Sequence, residues 1–206
     1  MNQEHHLTPG ERSLVRVAAA MAARDQNALA EALEQACHED APSRVEEVIL
    51  QGYLFLGYPA ALNTFGLWRR ISGQEAPDPS DEAPASWGER GQAVCRTVYG
   101  GQYERLRSNI RRLHPDMERW MVAEGYGKVL GRQGLELKVR ELCIAGLLAV
   151  HGMPRQLYSH LRGALNAGAT PEEVQETLQV AERYMGRAEF QEASAVWAEV
   201  RDSRRG

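Results

Sequence analysis

Cysteine is scarce in this sequence, and no two cysteines lie close together. The three present are Cys37, Cys95 and Cys143, with no Cys-x-x-Cys pair. This pattern favours reduced thiols and a cytoplasmic protein over a disulfide framework. No uncharged apolar run approaches the roughly 20 residues that cross a bilayer. The first residues also lack the basic-then-apolar pattern of a signal peptide. We therefore expect a cytoplasmic protein without a membrane segment.

Basic residues do not outnumber acidic residues in this sequence. The 206 residues include 24 Lys and Arg against 28 Asp and Glu, and the two signs are interleaved. This distribution argues against a nucleic-acid-binding face. The sequence has no zinc-ligand spacing, no phosphate-binding loop and no serine-nucleophile motif. His5 and His6 are adjacent near the start of the chain, where we expect them to bind no metal.

Strand signals are almost absent, whereas signals for the start of a helix recur. Thr8 and Thr170 each precede a proline and have a glutamate three residues later, and Ser43 with Glu46 forms a third capping box. Gly168 suits the left-handed end of a helix. The pattern predicts an all-α fold. The expected helices lie near residues 9–23, 26–38, 43–56, 59–71, 92–111, 115–130, 136–150, 154–167, 171–185 and 187–202.

Residues 72–91 differ in composition from the rest of the chain, because they are rich in proline and glycine. We predict that they form an irregular connection between residues 1–71 and residues 92–206. A shift of 129 residues aligns Pro42 with Pro171, Val45 with Val174, Glu47 with Glu176, Gly57 with Gly186 and Trp68 with Trp197. A capped start and an internal glycine thus coincide, which predicts a duplicated helical unit whose N-terminal copy is degenerate.

Two ionisable residues lie on apolar helix faces. Three- and four-residue spacing places Glu141 with Leu137 and Ile144, and His160 with Leu161. A short turn joins the two helices, so we expect them to pack as neighbours and bring the carboxylate to the imidazole, since burying either alone is costly. Such a pair supports acid–base catalysis. A plain hydrogen bond between two core helices remains the alternative.

The surrounding motifs resemble the carboxymuconolactone decarboxylase family over roughly residues 115–200. The segment from Tyr126 to Leu135, followed by Arg140-Glu141-Leu142, resembles the opening of that domain. Gln156, Leu157, His160 and residues 163–174 resemble its middle, and Tyr184-Met185-Gly186 its last helix pair. Residues 46–63 are similar to the final helices of the same domain, which fits the predicted duplication.

The family contains two chemistries. Its decarboxylases release carbon dioxide from a carboxylated muconolactone without metal or organic cofactor, whereas its alkyl hydroperoxidase D branch reduces peroxides through a Cys-x-x-Cys. Glu141 and His160 keep the outer positions of that branch, but Met153 and Gln156 stand where the cysteines would be. The resemblance implies an alkyl hydroperoxidase D-like helical bundle. It also implies a cofactor-free decarboxylase, or a related lyase or isomerase, that acts on a small carboxylated lactone or oxo acid in the degradation of aromatic compounds. Peroxidase chemistry is disfavoured, and a non-catalytic ligand-binding scaffold is the other alternative.

We assign roles within such a site as follows. His160 is the expected proton donor, and Glu141 orients it. Arg132 is expected to bind a substrate oxygen, with Arg140 and Arg155 as alternatives. His151 is expected to line the site as well. A structural ion pair remains the other interpretation for each arginine. The positions opposite Glu141 and His160 in the front copy fall near Arg12 or Ser13 and near Glu31 or Ala32, which predicts one site per chain. The resemblance also implies a homo-oligomer, since single-copy relatives form trimers or hexamers of helical units. A double-copy chain would build a six-unit ring as a homotrimer, which we favour over a dimer.

Overall fold

The computed structural model describes residues 6–79 and 83–204, so His5 and part of the predicted connection lie outside it. Within those ranges every regular element is helical, which confirms the all-α prediction. The α-helices are α1 (Pro9–Ala23), α2 (Gln26–Glu39), α3 (Pro42–Leu56), α4 (Tyr58–Ser72), α5 (Trp87–Tyr99), α6 (Tyr103–Leu113), α7 (Pro115–Trp120), α8 (Leu137–His151), α9 (Pro154–Asn166), α10 (Pro171–Glu182) and α11 (Arg187–Ser203). A π-helix (Met121–Leu130) continues α7, and short 3₁₀ turns precede α5 and α6.

Two of the three predicted capping boxes form. The hydroxyls of Thr8 and Thr170 accept hydrogen bonds from backbone N–H groups three residues on, and each glutamate there accepts one from the threonine N–H. The prediction for Ser43 is wrong. Helix α3 starts one residue earlier, with Pro42 in its first turn and no side-chain cap, because proline needs no partner for an N–H at that position.

The predicted helix over residues 92–111 is in fact two helices. Gly100 adopts a left-handed φ of 53°, which ends α5 and lets α6 begin after one 3₁₀ turn. At its other end α5 begins at Trp87, inside the segment predicted to be irregular. Inside α5, the missing side chain of Gly91 lets the helix approach the backbone of the π-helix at Val122.

Helices α1 and α8 pack against each other at the centre of the molecule. Almost every side chain of α8 is buried, and α1 places a run of small apolar residues against it. Gly146 of α8 lies against Val15 of α1, so the helix axes come close. The remaining helices pack around this pair, and residues from both ends of the chain share one apolar core. None of the described helices is long and apolar enough to span a bilayer.

Candidate active site

Helices α8 and α9 place Glu141 and His160 face to face. The two helices are consecutive, and the turn between them is made by Gly152, whose φ of 71° suits only glycine well. His160 Nδ1 lies 2.8 Å from Glu141 Oε2, and both residues are buried. The expected contact between the two side chains is therefore present. Their catalytic role stays a prediction.

The carboxylate of Glu141 fits its place because residue 163 is glycine. Gly163 is on α9, one turn after His160, and a Cβ there would run into Glu141 Oε2 and Val98 Cγ1. The other carboxylate oxygen, Oε1, is buried and has no hydrogen-bond partner among the described residues. The histidine thus provides the hydrogen bond that this carboxylate receives, which makes the pair a unit. The apolar stripe in the sequence did not predict that Gly163 leaves space for this carboxylate.

His160 faces a pocket of about 270 Å³. Its Nδ1 is taken by Glu141, whereas its Nε2 has no hydrogen-bond partner in the described part of the chain. Phe55 packs edge-to-face on the imidazole with ring centroids 5.5 Å apart, which fixes the plane of the ring. The other lining residues are mostly apolar: Leu54, Tyr99, Met117, Trp120, Met121, Glu124, Gly125, Tyr126 and Leu130. The nitrogen available to a ligand therefore lies in an apolar setting.

The far wall of this pocket is built by α5 and the π-helix. The two run in unusually close contact, because Gly91 lies on the backbone of Val122 and Gly127 on the backbone of Trp87. A Cβ at either glycine would collide with a main-chain carbonyl. The wide turn of a π-helix is frequent at functional sites, and here the π-helix carries five of the eleven lining residues of the pocket.

Two tyrosines meet at this wall. The hydroxyls of Tyr99 and Tyr126 are 2.7 Å apart, and one donates to the other. Burial raises the pKa of both hydroxyls, and the negative charge of Glu141 raises the two pKa values further. Both tyrosines therefore stay protonated near neutral pH, and one of the two O–H groups is left to donate elsewhere. Neither tyrosine could be predicted as a site residue from the sequence, since a tyrosine on a helix carries no distinctive spacing.

Arg132 and Arg140 are bound to an acid away from the pocket. Arg140 is fully buried and donates from Nη2 to Glu47 Oε2 at 2.7 Å, and Arg132 bonds the same carboxylate through Nε and Nη2 at about 3 Å. Burial lowers the pKa of Arg140, while the hydrogen bond to Glu47 opposes this shift. The structure thus does not place these two guanidinium groups where they would meet a ligand of His160.

The other two predicted lining residues also lie off the pocket. His151 is the last residue of α8, and Arg155 is exposed at the start of α9, beside Glu199 on a shallow surface depression. At the positions of the family's cysteines, Met153 and Gln156 are exposed. The sequence therefore placed the Glu–His pair better than it placed the groups that would bind substrate.

The buried cysteine thiols are held in their protonated form. Burial raises the pKa of Cys95 to about 12 and also raises that of Cys143, so neither is a ready thiolate. In the part of the chain that the structure describes, no three His, Cys, Asp or Glu side chains are grouped so as to hold a metal ion. His6, one of the adjacent histidines, contacts Glu176 instead.

Comparison with known proteins finds one family and one relative that resemble this chain. Residues 115–199 match the model of the carboxymuconolactone decarboxylase family. This stretch contains the π-helix, α8 with Glu141 and α9 with His160, in an all-α bundle of the alkyl hydroperoxidase D-like type. A similar protein of Schizosaccharomyces pombe, named Peroxisomal protein 2, is 26% identical over 186 residues. That alignment covers 85% of this chain and 85% of the relative, so the similarity extends well beyond the matched domain.

Proposed function

We propose that the chain as a whole is a member of the carboxymuconolactone decarboxylase family and works as a cofactor-free lyase or isomerase through His160. One observation carries this proposal. The imidazole is fixed at Nδ1 by a buried carboxylate and on its face by Phe55, and its Nε2 is left without a protein partner beside an apolar pocket. A hydrogen bond that served only to tie two helices together would not need a pocket at the free nitrogen.

In a decarboxylation, the bond between the carboxylate carbon and its neighbour breaks and carbon dioxide leaves. The electron pair moves onto an adjacent carbonyl oxygen as an enolate, and His160 Nε2 then gives its proton to the carbon. Glu141 holds the Nδ1 proton throughout and stabilises the charged imidazolium. The spare O–H of the Tyr99–Tyr126 pair is suited to donate to the enolate oxygen, where negative charge develops. An isomerase would use the same groups to move a proton between two carbons.

The lining of the pocket limits the class of substrate that can bind. It contains no lysine or arginine, and its one acidic residue, Glu124, is exposed. Apart from the imidazolium of His160, a carboxylate entering this pocket meets no positive partner, which favours its loss as neutral carbon dioxide but disfavours the binding of a dianion. We therefore propose a small oxo acid or lactone with a single carboxylate and an apolar remainder.

The test is a decarboxylation assay with such compounds that follows carbon dioxide release. The histidine pair offers a matched control, because His160→Gln removes the group in the pocket whereas His151→Gln alters a histidine outside it. We expect turnover by the parent and by His151→Gln, and a loss of about a hundredfold or more in His160→Gln. Equal activity in all three proteins would show that His160 is not the acid.

Two alternatives make different predictions. A dithiol peroxidase would lose activity when its cysteines are replaced, but Met153 and Gln156 stand at the expected cysteine positions and the buried thiols have raised pKa values. A non-catalytic scaffold would bind apolar acids in the pocket without turning them over.

We keep a cytoplasmic location as our proposal. Since the relative is named as a peroxisomal protein, a subcellular fractionation that finds the chain in peroxisomes would correct it.

We further propose that the chain is a tandem repeat, with residues 1–71 as the degenerate copy, residues 72–91 as the connection and residues 92–206 holding the complete copy. Trp68 donates to Glu46, and 129 residues later Trp197 donates to Gln175. The starts of α3 and α4 are related to those of α10 and α11 by the same shift. In a crystal structure α1–α4 should superpose on α8–α11 helix for helix. A different helix order or direction would reject the repeat.

A reciprocal pair of ion pairs supports the same proposal. Arg140 of the last half binds Glu47 of the first, and Arg12 of the first binds Glu176 of the last. Helices α1 and α8 each have 15 residues and start 128 positions apart. That offset sets Ser13 opposite Glu141 and Ala32 opposite His160. Both are buried and neither restores the pair, so we propose one site per chain.

The assembly that we propose is a homotrimer. Apolar side chains are exposed beside the mouth of the pocket, where Met117 and Trp120 line its rim, and Tyr58, Leu62 and Leu113 are exposed elsewhere. Light scattering in solution should give three times the chain mass of 23.0 kDa. A monomer mass would contradict the proposed assembly, and a mass of two chains would favour the dimer.

A further inference from the structure

A second cavity lies on the other side of Tyr99. It is also about 270 Å³ in volume, and Tyr99 belongs to the lining of both cavities. One wall is a face of α6 and the turn before it, and the opposite wall is a face of α9. Its polar lining residues are Gln102, Arg105, Asn109, Tyr158, Ser159, Arg162 and Asn166. Unlike the pocket of His160, this cavity therefore has a polar and basic lining.

The two arginines of this cavity have no acidic partner. Neither Arg105 nor Arg162 forms an ion pair or a hydrogen bond with the described residues, and Arg162 has only a distant contact with the ring of Tyr158. No aspartate or glutamate lines the cavity. Elsewhere on α6, by contrast, Arg107 and Arg111 both bind Glu118. Arg105 is exposed and Arg162 is half-buried, so both guanidinium groups can reach an anion that enters the cavity from solvent.

We infer that this cavity is a binding site for a small oxyanion, a carboxylate or a phosphate group. Each guanidinium presents several N–H donors in a planar fork that matches such an anion. The side-chain amide of Gln102 forms no hydrogen bond within the described residues and offers a further donor at the same cavity. Tyr99 is the one residue common to the two linings, and neither Arg105 nor Arg162 lines the pocket of His160, so the site is distinct from the pocket in which we place the reaction.

The inference is tested by calorimetric titration of the full chain at constant ionic strength, with inorganic phosphate in one arm and acetate in the other. We expect one anion to bind per chain, and its affinity to fall by about tenfold in Arg105→Gln and in Arg162→Gln, since each removes charge-assisted hydrogen bonds. Stronger binding of phosphate would indicate a phosphorylated ligand, and stronger binding of acetate a carboxylated one.

Arg187→Gln is the matched control, because Arg187 is an exposed arginine of α11 outside this cavity. It should bind the anion as the parent does. Neither Arg105 nor Arg162 has an acidic partner to lose, so the melting temperatures of all three variants should stay close to that of the parent. Failure of both anions to bind at one per chain would overturn the inference, as would an equal loss of affinity in the control.

Discussion

The substitution Gly163→Ala should damage the candidate site without touching either of its ionisable residues. A Cβ at residue 163 would lie 2.7 Å from Val98 Cγ1 and 3.1 Å from Glu141 Cδ, and nearer still to Glu141 Oε2. Ordinary contact begins at 3.4 Å, so Val98 has to move by about 0.7 Å. Both neighbours are buried and cannot move into solvent. The oxygen that must also move is the one bonded to His160.

We expect a net destabilisation of about 1–2 kcal/mol, because overpacking costs about 1–3 kcal/mol and the better helix propensity of alanine returns about 0.5–1 kcal/mol. Turnover should fall by about a hundredfold or more as the imidazole loses its orientation. Urea denaturation and the decarboxylation assay measure the two effects. Gly66→Ala is the control, since Gly66 is an exposed glycine inside α4 whose added Cβ meets only the end of a flexible arginine. The control should gain about 0.5–1 kcal/mol and keep full turnover. An active and equally stable Gly163→Ala would refute the geometry of the pair.

Three further predictions concern other buried groups. Spectrophotometric titration should show the hydroxyl of Tyr126 ionising well above its ordinary pKa of 10.0. Because the raised pKa belongs to the folded state, the free energy of unfolding should fall as the pH rises above 10. Ionisation at the ordinary pKa would contradict the burial of this hydroxyl. Arg140→Ala should cost about 3 kcal/mol in urea denaturation by leaving Glu47 with one partner, and an unchanged stability would count against a structural role. A thiol reagent should label the partly exposed Cys37 in the folded protein but Cys95 only after unfolding, which mass mapping decides.

Local signals in the sequence were enough for the all-α fold and for most helix limits. Thr8 and Thr170 marked helix starts correctly because a capping box depends only on residues three positions apart. The break at Gly100 was missed, since a glycine inside a helical pattern is often tolerated and only its left-handed φ shows that the helix ends. Helix type was missed as well, because the π-helix depends on close contact with α5.

The site was predictable only in part, for a physical reason. A polar residue on an apolar stripe must find a partner, and the short turn between α8 and α9 left Glu141 and His160 few choices. For side chains that are distant in the sequence, no short turn restricts which partner they can contact. Arg140 was therefore predicted as an alternative substrate ligand, whereas it binds Glu47, 93 residues away. Tyr99 and Tyr126 meet only because α5 crosses the π-helix, which no local pattern indicates.

Proton transfer by His160 is the central claim, and deuterium exchange tests it most directly. A small ketone or lactone without a carboxylate, incubated with the protein in heavy water, should exchange the proton next to its carbonyl group, as followed by proton NMR. The account predicts exchange with the parent and with His151→Gln, a rate lower by about a hundredfold in His160→Gln, and a smaller loss in Glu141→Gln, which keeps an oxygen near Nδ1. Exchange that continues unchanged in His160→Gln would contradict the account.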